Sequence, residues 1–171
     1  MYLILGKLMR QHLKIALRTT SIQGLILLLP ILGNFLSLAS ARANLNSNLI
    51  VNVNGIKNQT GKICASLFHQ SKGFPSDSKK ALQFQCIEMK EPPQKLIFKN
   101  LKAGNYAVAL IHDANADGIL NSNSFGIPTE GFGFSNNPLI LTGPPKFNNA
   151  AVLVVGPSTD IQIQLQYLLG G

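Results

Sequence analysis

The sequence predicts an all-β fold, an antiparallel β-sandwich of about seven strands, and three observations support this. Short apolar runs alternate with turns rich in Gly and Pro along residues 44–171. Residues 160–167 alternate apolar side chains with glutamines, which is the pattern of a strand with one buried face. No stretch after residue 43 shows the apolar period of a long amphipathic helix.

The first 43 residues have the three parts of a secretory signal peptide. A basic region without acids precedes an apolar run at residues 24–38. Small residues in A-x-A spacing follow, and cleavage fits after Ala41 or after Ala43. We therefore predict a helical signal peptide at 1–43, a single sandwich domain at 44–171, and a secreted or periplasmic protein.

An uncleaved membrane anchor is the alternative interpretation of the leader. Pro30 and Asn34 interrupt its apolar run, which falls short of the roughly 20 clean apolar residues of a spanning helix. No stable membrane span is therefore expected after cleavage.

The charge of the chain is unevenly divided between the leader and the rest. The formal net charge is +8, but five of the 15 Lys and Arg residues precede residue 44 and all seven acids follow it. The part after the leader therefore carries +3, and it contains scattered lysines and no arginine to contact phosphate bidentately. The sequence predicts no nucleic-acid binding.

Turn residues and apolar alternation place the first four strands. Residues 49–53 are followed by an Asn-Gly turn, and residues 62–68 put Ile63, Ala65 and Leu67 on one face. Residues 84–88 are extended after a loop with room for one helical turn, and residues 95–99 follow two prolines.

The last three strands are predicted from stronger patterns. Residues 105–112 carry apolar side chains on both faces, which places this strand in the middle of a sheet. Residues 150–155 follow an irregular segment that contains three prolines, and residues 160–167 form the final strand, with Tyr167 facing inward.

Cys64 and Cys86 are the two cysteines of the chain. In an exported protein an even pair is predicted to form a disulfide, and the sequence lacks the C-x-x-C spacing of a zinc or redox site. Two buried thiols remain the alternative.

Oxygen-bearing side chains occur at alternate positions directly after residue 112, which predicts a calcium loop. Asp113, Asn115 and Asp117 precede Gly118, as in the first half of a calcium-binding loop. The full candidate ligand set adds a carbonyl and two later side chains: Asp113, Asn115, Asp117, Ile119, Asn121 and Glu130. With so few charges, the expected Kd is about 10⁻⁴–10⁻³ M. A metal-free turn capped by Asp and Asn is the alternative.

Phe132 and Phe134 alternate with glycines and share one face. One interpretation is an aromatic ledge that binds a carbohydrate or a peptide without metal. The other is that both rings close one end of the sandwich.

Catalytic patterns are weak in this sequence. Ser135 lies outside a G-x-S-x-G turn, and a lone His112 at a strand end is more typical of structure than of catalysis. Asp113, Asp117 and Glu130 could be paired for glycoside cleavage, but nothing beyond their presence supports that role. The sequence therefore predicts a protein without enzymatic activity.

The block from His112 to Asn137, together with residues 104–111, is similar to an exported family known as domain of unknown function 2141. The context of Cys64, residues 73–75 and the terminal strand ending in Tyr167 also fit that family. The resemblance implies a transthyretin-like or immunoglobulin-like sandwich and implies no activity. Many members carry an acid where this chain has Asn121, so this chain would lack one charged metal ligand.

The combined prediction is an exported, non-enzymatic module of unassigned role with an unknown ligand or an envelope or extracellular partner. Calcium is the predicted cofactor, bound weakly at residues 113–121. The alternative is a carbohydrate- or peptide-binding domain that uses the Gly-Phe-Gly-Phe ledge.

Overall fold

A computed structural model describes residues 46–90 and 93–169 of the chain. The predicted signal peptide, with its cleavage points after Ala41 and Ala43, lies outside the described residues. The elements of the described part, in chain order, are β1 (Ser47–Asn54), β2 (Lys62–Phe68), a 3-10 turn (Ser78–Lys80), β3 (Gln83–Glu88), β4 (Gln94–Leu101), β5 (Gly104–Asp113), β6 (Gly131–Phe134), α1 (Phe147–Ala150), β7 (Val152–Val154) and β8 (Ser158–Gln164).

The strands form two sheets, which confirms the predicted β-sandwich. The three-stranded sheet has the order β4-β1-β8, and the five-stranded sheet has the order β3-β2-β5-β6, with β7 also paired to β5. Neighbours are antiparallel except β1 and β8, which run parallel from Asn48 opposite Ser158 to Asn54 opposite Gln164. A tight turn in the sequence indicates that the two strands it joins are antiparallel, and it gives this information only for consecutive strands. No such turn links the first strand to the last, so the sequence did not reveal this parallel pair.

All seven predicted strands are present, with ends within three residues of the predicted ones. The eighth strand, β6, lies inside the segment that was predicted to be a loop. Gly131 and Gly133 weaken the strand pattern there, because glycine has a low strand propensity. The short helix α1 also lies in a segment predicted to be irregular.

The main core lies between the two sheets. Each strand contributes alternate residues to it, as the period of two requires. Val51 of β1, Phe98 of β4, Ile63 of β2 and Val108 of β5 are fully buried there. Ile63, Ala65 and Leu67, which were predicted to share one face of β2, all lie in this core, and β5 buries apolar side chains on both of its faces as predicted.

A backbone connection joins the two sheets along one side. The Phe132 amide donates to the Gln166 carbonyl at 3.0 Å, and the Gln166 amide donates back at 2.8 Å. The glycines of β6 allow this approach, since a Cβ at Gly131 would lie 2.6 Å from the Tyr167 ring and one at Gly133 would lie 2.8 Å from Ile163. The alternation of Gly and Phe therefore puts the small residues inward and the rings outward.

A second apolar cluster covers the outer face of the five-stranded sheet, on the side away from the main core. It joins Phe68, Phe132 and Phe134 to Ala150 of α1, with Phe74 and other half-buried residues packed against it. Phe74 contacts Phe68, Phe134 and Phe147 edge-on, with ring centroids 5.4 to 6.1 Å apart. The loops that follow β5 and β6 therefore fold back onto this face.

Cys64 and Cys86 lie directly opposite each other in β2 and β3 and form the predicted disulfide. Cys64 is buried, whereas Cys86 is exposed on an edge strand. Across residues 46–90 and 93–169, no helix is long and apolar enough to cross a membrane.

Removing the disulfide is expected to destabilise the fold. The bond closes a loop with a sequence separation of 22 residues, so the double substitution Cys64→Ser and Cys86→Ser should lower the free energy of unfolding by about 3 kcal/mol. Urea unfolding with and without a thiol reductant measures this. The reductant should destabilise the natural chain and leave the double variant unchanged; a natural chain whose fully reduced form unfolds at the same urea concentration would contradict the prediction.

Candidate functional site

Asp113 ends β5 and organises the turn that follows it. Its side chain is 1 % exposed. Oδ1 accepts a hydrogen bond from the Asp117 amide at 3.0 Å, and Oδ2 accepts one from the Gly118 amide at 2.8 Å. Ala116 and Gly118 adopt positive φ angles of 60° and 82°, which lets the chain wrap around this carboxylate. Asp113 is therefore a buried acceptor of backbone hydrogen bonds.

Glu130 connects the two ends of the same loop. Its Oε1 accepts from the Ala114 amide and its Oε2 accepts from the Asn121 amide, both at 2.9 Å. The residue is 8 % exposed and lies directly before β6. Because one carboxylate bonds amides seven residues apart, it fixes the loop against the start of β6.

Asp117 is the exposed centre of a polar network. Its Oδ2 accepts from Nδ2 of Asn121 at 3.0 Å and from Nδ2 of Asn115 at 2.9 Å, and its Oδ1 accepts from the Ile119 amide. The hydrogen bond from Asn121 is the first cause that lowers the pKa of Asp117, followed by those from Ile119 and Asn115. The network favours the ionised carboxylate.

The structure thus brings all six predicted metal-ligand residues into one hydrogen-bonded loop. Five contribute side chains, and Ile119 contributes its backbone amide. Within the described ranges, no group of three or more His, Cys, Asp and Glu side chains is arranged to hold a metal ion. Oδ1 of Asn121, however, is buried without a hydrogen-bond partner. Calcium binding stays a prediction.

His112 has a structural role. The ring is 1 % exposed, with Nε2 lying 2.8 Å from the Thr60 carbonyl and Nδ1 lying 2.7 Å from the Tyr167 hydroxyl. A carbonyl only accepts, so Nε2 carries a hydrogen, and in the neutral ring Nδ1 accepts from Tyr167. Burial raises the pKa of Tyr167, which keeps that hydroxyl protonated. His112 therefore links the turn after β1 to the segment after β8.

A groove lies on the outer face of the five-stranded sheet and is here named the outer groove. Its cavity volume is about 630 Å³. Two adjacent cross-strand rows form its floor, Phe84–Ser66–Ala109–Phe134 and Cys64–Ile111–Phe132, as the strand registers show. With strands about 4.8 Å apart, a row across four strands is roughly 14 Å long.

Side-chain size explains why the outer groove is empty of protein atoms. In one floor row the small residues Ser66 and Ala109 lie between Phe84 and Phe134. The short side chains in the middle leave a depression in the sheet surface between the two rings. The walls come from loops, with Ile119 and Ile127 after β5, Leu141 after β6, and Leu168 near the end of the described chain.

Phe132 and Phe134, the predicted ligand-binding rings, line this groove. They are only 5 % and 8 % exposed, and their centroids lie 5.9 Å apart. Both therefore pack into the outer apolar cluster while they form one end of the groove floor. Truncating either ring would disturb packing and groove together.

The comparisons with known proteins identify the family. The profile of a family described as uncharacterized proteins conserved in bacteria, domain of unknown function 2141, matches residues 51–162. The chain belongs to this family. The predicted resemblance is thereby confirmed. Searches of curated proteins and of solved structures found no match.

The match to the domain of unknown function 2141 family extends from β1 to β8 and includes the whole loop between β5 and β6. Sequence reasoning located this loop but missed the groove. One feature of the sequence could have indicated the groove. On the outward face of β2 and β5, Ser66 and Ala109 are too small to fill the space between aromatic neighbours.

Glu130→Ala is expected to loosen the loop and destabilise the fold. It removes two charge-assisted hydrogen bonds from a buried carboxylate, so the free energy of unfolding should fall by roughly 2–4 kcal/mol. Glu88→Ala is the matched control, because its exposed ion pair with Lys62 should contribute less than about 1 kcal/mol. Urea unfolding gives both values, and hydrogen exchange at the Ala114 and Asn121 amides should accelerate in the Glu130 variant alone. Equal costs for the two variants would refute the proposed connection.

Proposed function

We propose that this chain is an exported, non-enzymatic β-sandwich module that binds a small, mainly apolar molecule in the outer groove. The groove itself is the observation that supports the proposal. Ligand sites are typically concave, mostly apolar and about 300–1,000 Å³ in volume, and the outer groove has about 630 Å³. The ligand would lie across four strands of a rigid sheet, with loops on both sides.

Export is supported by the leader pattern and by the disulfide. The signal-peptide features precede residue 44, and disulfides persist mainly in oxidising compartments outside the cytosol. Cys64 and Cys86 form such a bond. A secreted or periplasmic location is therefore part of the proposal.

The absence of enzymatic activity is supported by the way the polar groups are used. Asp113 and Glu130 are occupied by backbone amides, and both ring nitrogens of His112 are hydrogen-bonded. The hydroxyl of Ser135 donates to the Ala150 carbonyl and accepts from the Val108 amide. These groups stabilise the fold, which leaves them poorly placed to act as nucleophile or base.

Binding in the groove can be measured with diphenylhexatriene, an uncharged hydrocarbon that fluoresces in apolar surroundings. Leu141→Ser should weaken its binding roughly three- to tenfold, because Leu141 lines the groove and is 78 % exposed until a ligand covers it. Leu139→Ser is the matched control. Leu139 belongs to the same loop and is 81 % exposed, but it is not among the groove-lining residues of the described chain.

Fluorescence titration of the natural chain and both variants tests whether the outer groove is the binding site. Binding that is lost in Leu141→Ser and kept in Leu139→Ser supports the groove. No binding to the natural chain, or an equal effect of the two substitutions, would overturn the proposed function. Binding of a sugar or a peptide in place of the hydrocarbon would point to the aromatic-ledge alternative.

We further propose that the loop at residues 113–121 binds calcium weakly. The supporting observation is Oδ1 of Asn121, an acceptor oxygen that is buried without a donor beside the carboxylate of Asp117. A carboxylate has about four lone-pair sites, and each oxygen of Asp113 accepts one hydrogen bond from the loop, so capacity remains for a cation. The amide nitrogens of Asn115 and Asn121 now donate to Asp117, so a half-turn of each side chain would direct its oxygen toward an ion beside that carboxylate.

Calcium is expected to raise the melting temperature of the natural chain. At a concentration ten times Kd the stabilisation is about 1.4 kcal/mol, which corresponds to roughly 4–6 °C for a domain of this size. Scanning calorimetry with millimolar calcium and with a chelator measures the difference. Asp113→Asn should abolish the calcium-dependent increment, whereas Asp160→Asn, an exposed change on β8, should keep it. A natural chain that melts equally with calcium and with chelator would rule out the site.

A further inference from the structure

The hydroxyl of Ser66 is a polar group at the centre of the outer groove that has no partner among the described residues. Ser66 is 8 % exposed and lines the cavity between Phe84 and Ala109. None of the hydrogen bonds among residues 46–90 and 93–169 involves its Oγ. Ser135, buried on the same sheet, shows the usual outcome, since its Oγ bonds both Val108 and Ala150. The Oγ of Ser66 is not among the buried unpaired atoms of the described chain, so it is open to the groove and can form a hydrogen bond with an occupant that carries a polar atom.

The lining of the outer groove is uncharged. Among the described residues around it, the polar side chains are serines, and neither a carboxylate nor an ammonium nor an amide side chain takes part. Transfer of an ion into such surroundings without a counter-charge is unfavourable, and a sugar would leave most of its hydroxyls unpaired. The chemistry of the walls therefore selects a neutral molecule with few polar atoms.

Exposed apolar side chains continue from the groove onto its rim. Ile119 is 62 % exposed, Leu141 is 78 % exposed and Leu168 is 52 % exposed, and all three line the cavity. Contiguous exposed apolar surface of this kind marks binding grooves. If a ligand carried a charged group that projected out of the groove, that group would lie against this apolar rim, which is unfavourable.

We infer that the outer groove binds an uncharged, mainly hydrocarbon molecule with one hydroxyl or carbonyl group, and that Ser66 forms a hydrogen bond with this group. The inference rests on the proposed function, because it names the ligand class of the same groove. Ser66 is then the residue that determines specificity, while the apolar floor and walls supply most of the affinity.

The first experiment compares three molecules with the same ten-carbon chain. Decan-1-ol, decanoate and decyltrimethylammonium compete at pH 8 with diphenylhexatriene bound to residues 44–171, the sandwich domain that remains after predicted cleavage. Decan-1-ol should displace the fluorophore at concentrations at least tenfold lower than either ion. Equal or better displacement by decanoate or by the ammonium compound would overturn the inference.

The second experiment tests Ser66 itself. Ser66→Ala should weaken displacement by decan-1-ol roughly three- to tenfold, the effect of one lost neutral hydrogen bond. Diphenylhexatriene has no polar atom, so its own affinity for the Ser66 variant should stay within twofold of the natural value. Ser71→Ala is the control, because Ser71 is an exposed serine that is not among the groove-lining residues of the described chain, and it should leave both ligands unaffected.

The outcomes distinguish the existence of a binding site in the groove from the role of Ser66 within it. If diphenylhexatriene binds and is sensitive to Leu141→Ser, but Ser66→Ala leaves decan-1-ol unaffected, the groove is a binding site and the role of Ser66 is wrong. If the fluorophore does not bind the natural chain, the proposed function fails together with the inference. An equal loss of both ligands in Ser66→Ala would indicate a packing effect and would also contradict the specific hydrogen bond.

Discussion

The five-stranded sheet has apolar side chains on both faces, and the rest of the structure depends on how both faces are covered. The three-stranded sheet covers the inner face, where Ile63 and Val108 are fully buried. The outer face carries Phe68, Phe132 and Phe134, so the loops after β5 and β6 must fold over it. Hydrophobic burial drives this arrangement, and the outer groove is the space that the loops leave uncovered.

Carboxylates hold the covering loop in place. Asp113 and Glu130 are buried, and burial of a charge is costly unless hydrogen bonds replace the lost water. Backbone amides supply those bonds here, two to each carboxylate. The acids therefore stabilise the loop that forms one wall of the groove, and the spacing typical of a calcium loop serves this purpose with or without a metal.

The sequence predicted what local patterns determine. Apolar alternation located seven strands and the inward face of the last one, because a strand's period of two is visible in residues such as Ile161 and Ile163. The cysteine pair and the family resemblance were also predicted correctly. The parallel pairing of β1 with β8, the strand β6 and the groove were missed. The glycines of β6 hide its strand pattern. The parallel pair and the groove depend on residues far apart in the chain, as with Ser66 and Phe134, which share a floor row only after β5 has aligned their strands.

The backbone connection between Phe132 and Gln166 leaves the sandwich joined on one side and open on the other. The opposite side ends in two edge strands, β3 and β4, which Gln83 links through its amide to the Lys99 carbonyl at 3.0 Å. Unpaired edges can recruit a strand from another molecule. Lys95 and Lys99 project from the same exposed face of β4, on either side of Ile97. Their repulsion between two approaching copies would oppose pairing along this edge.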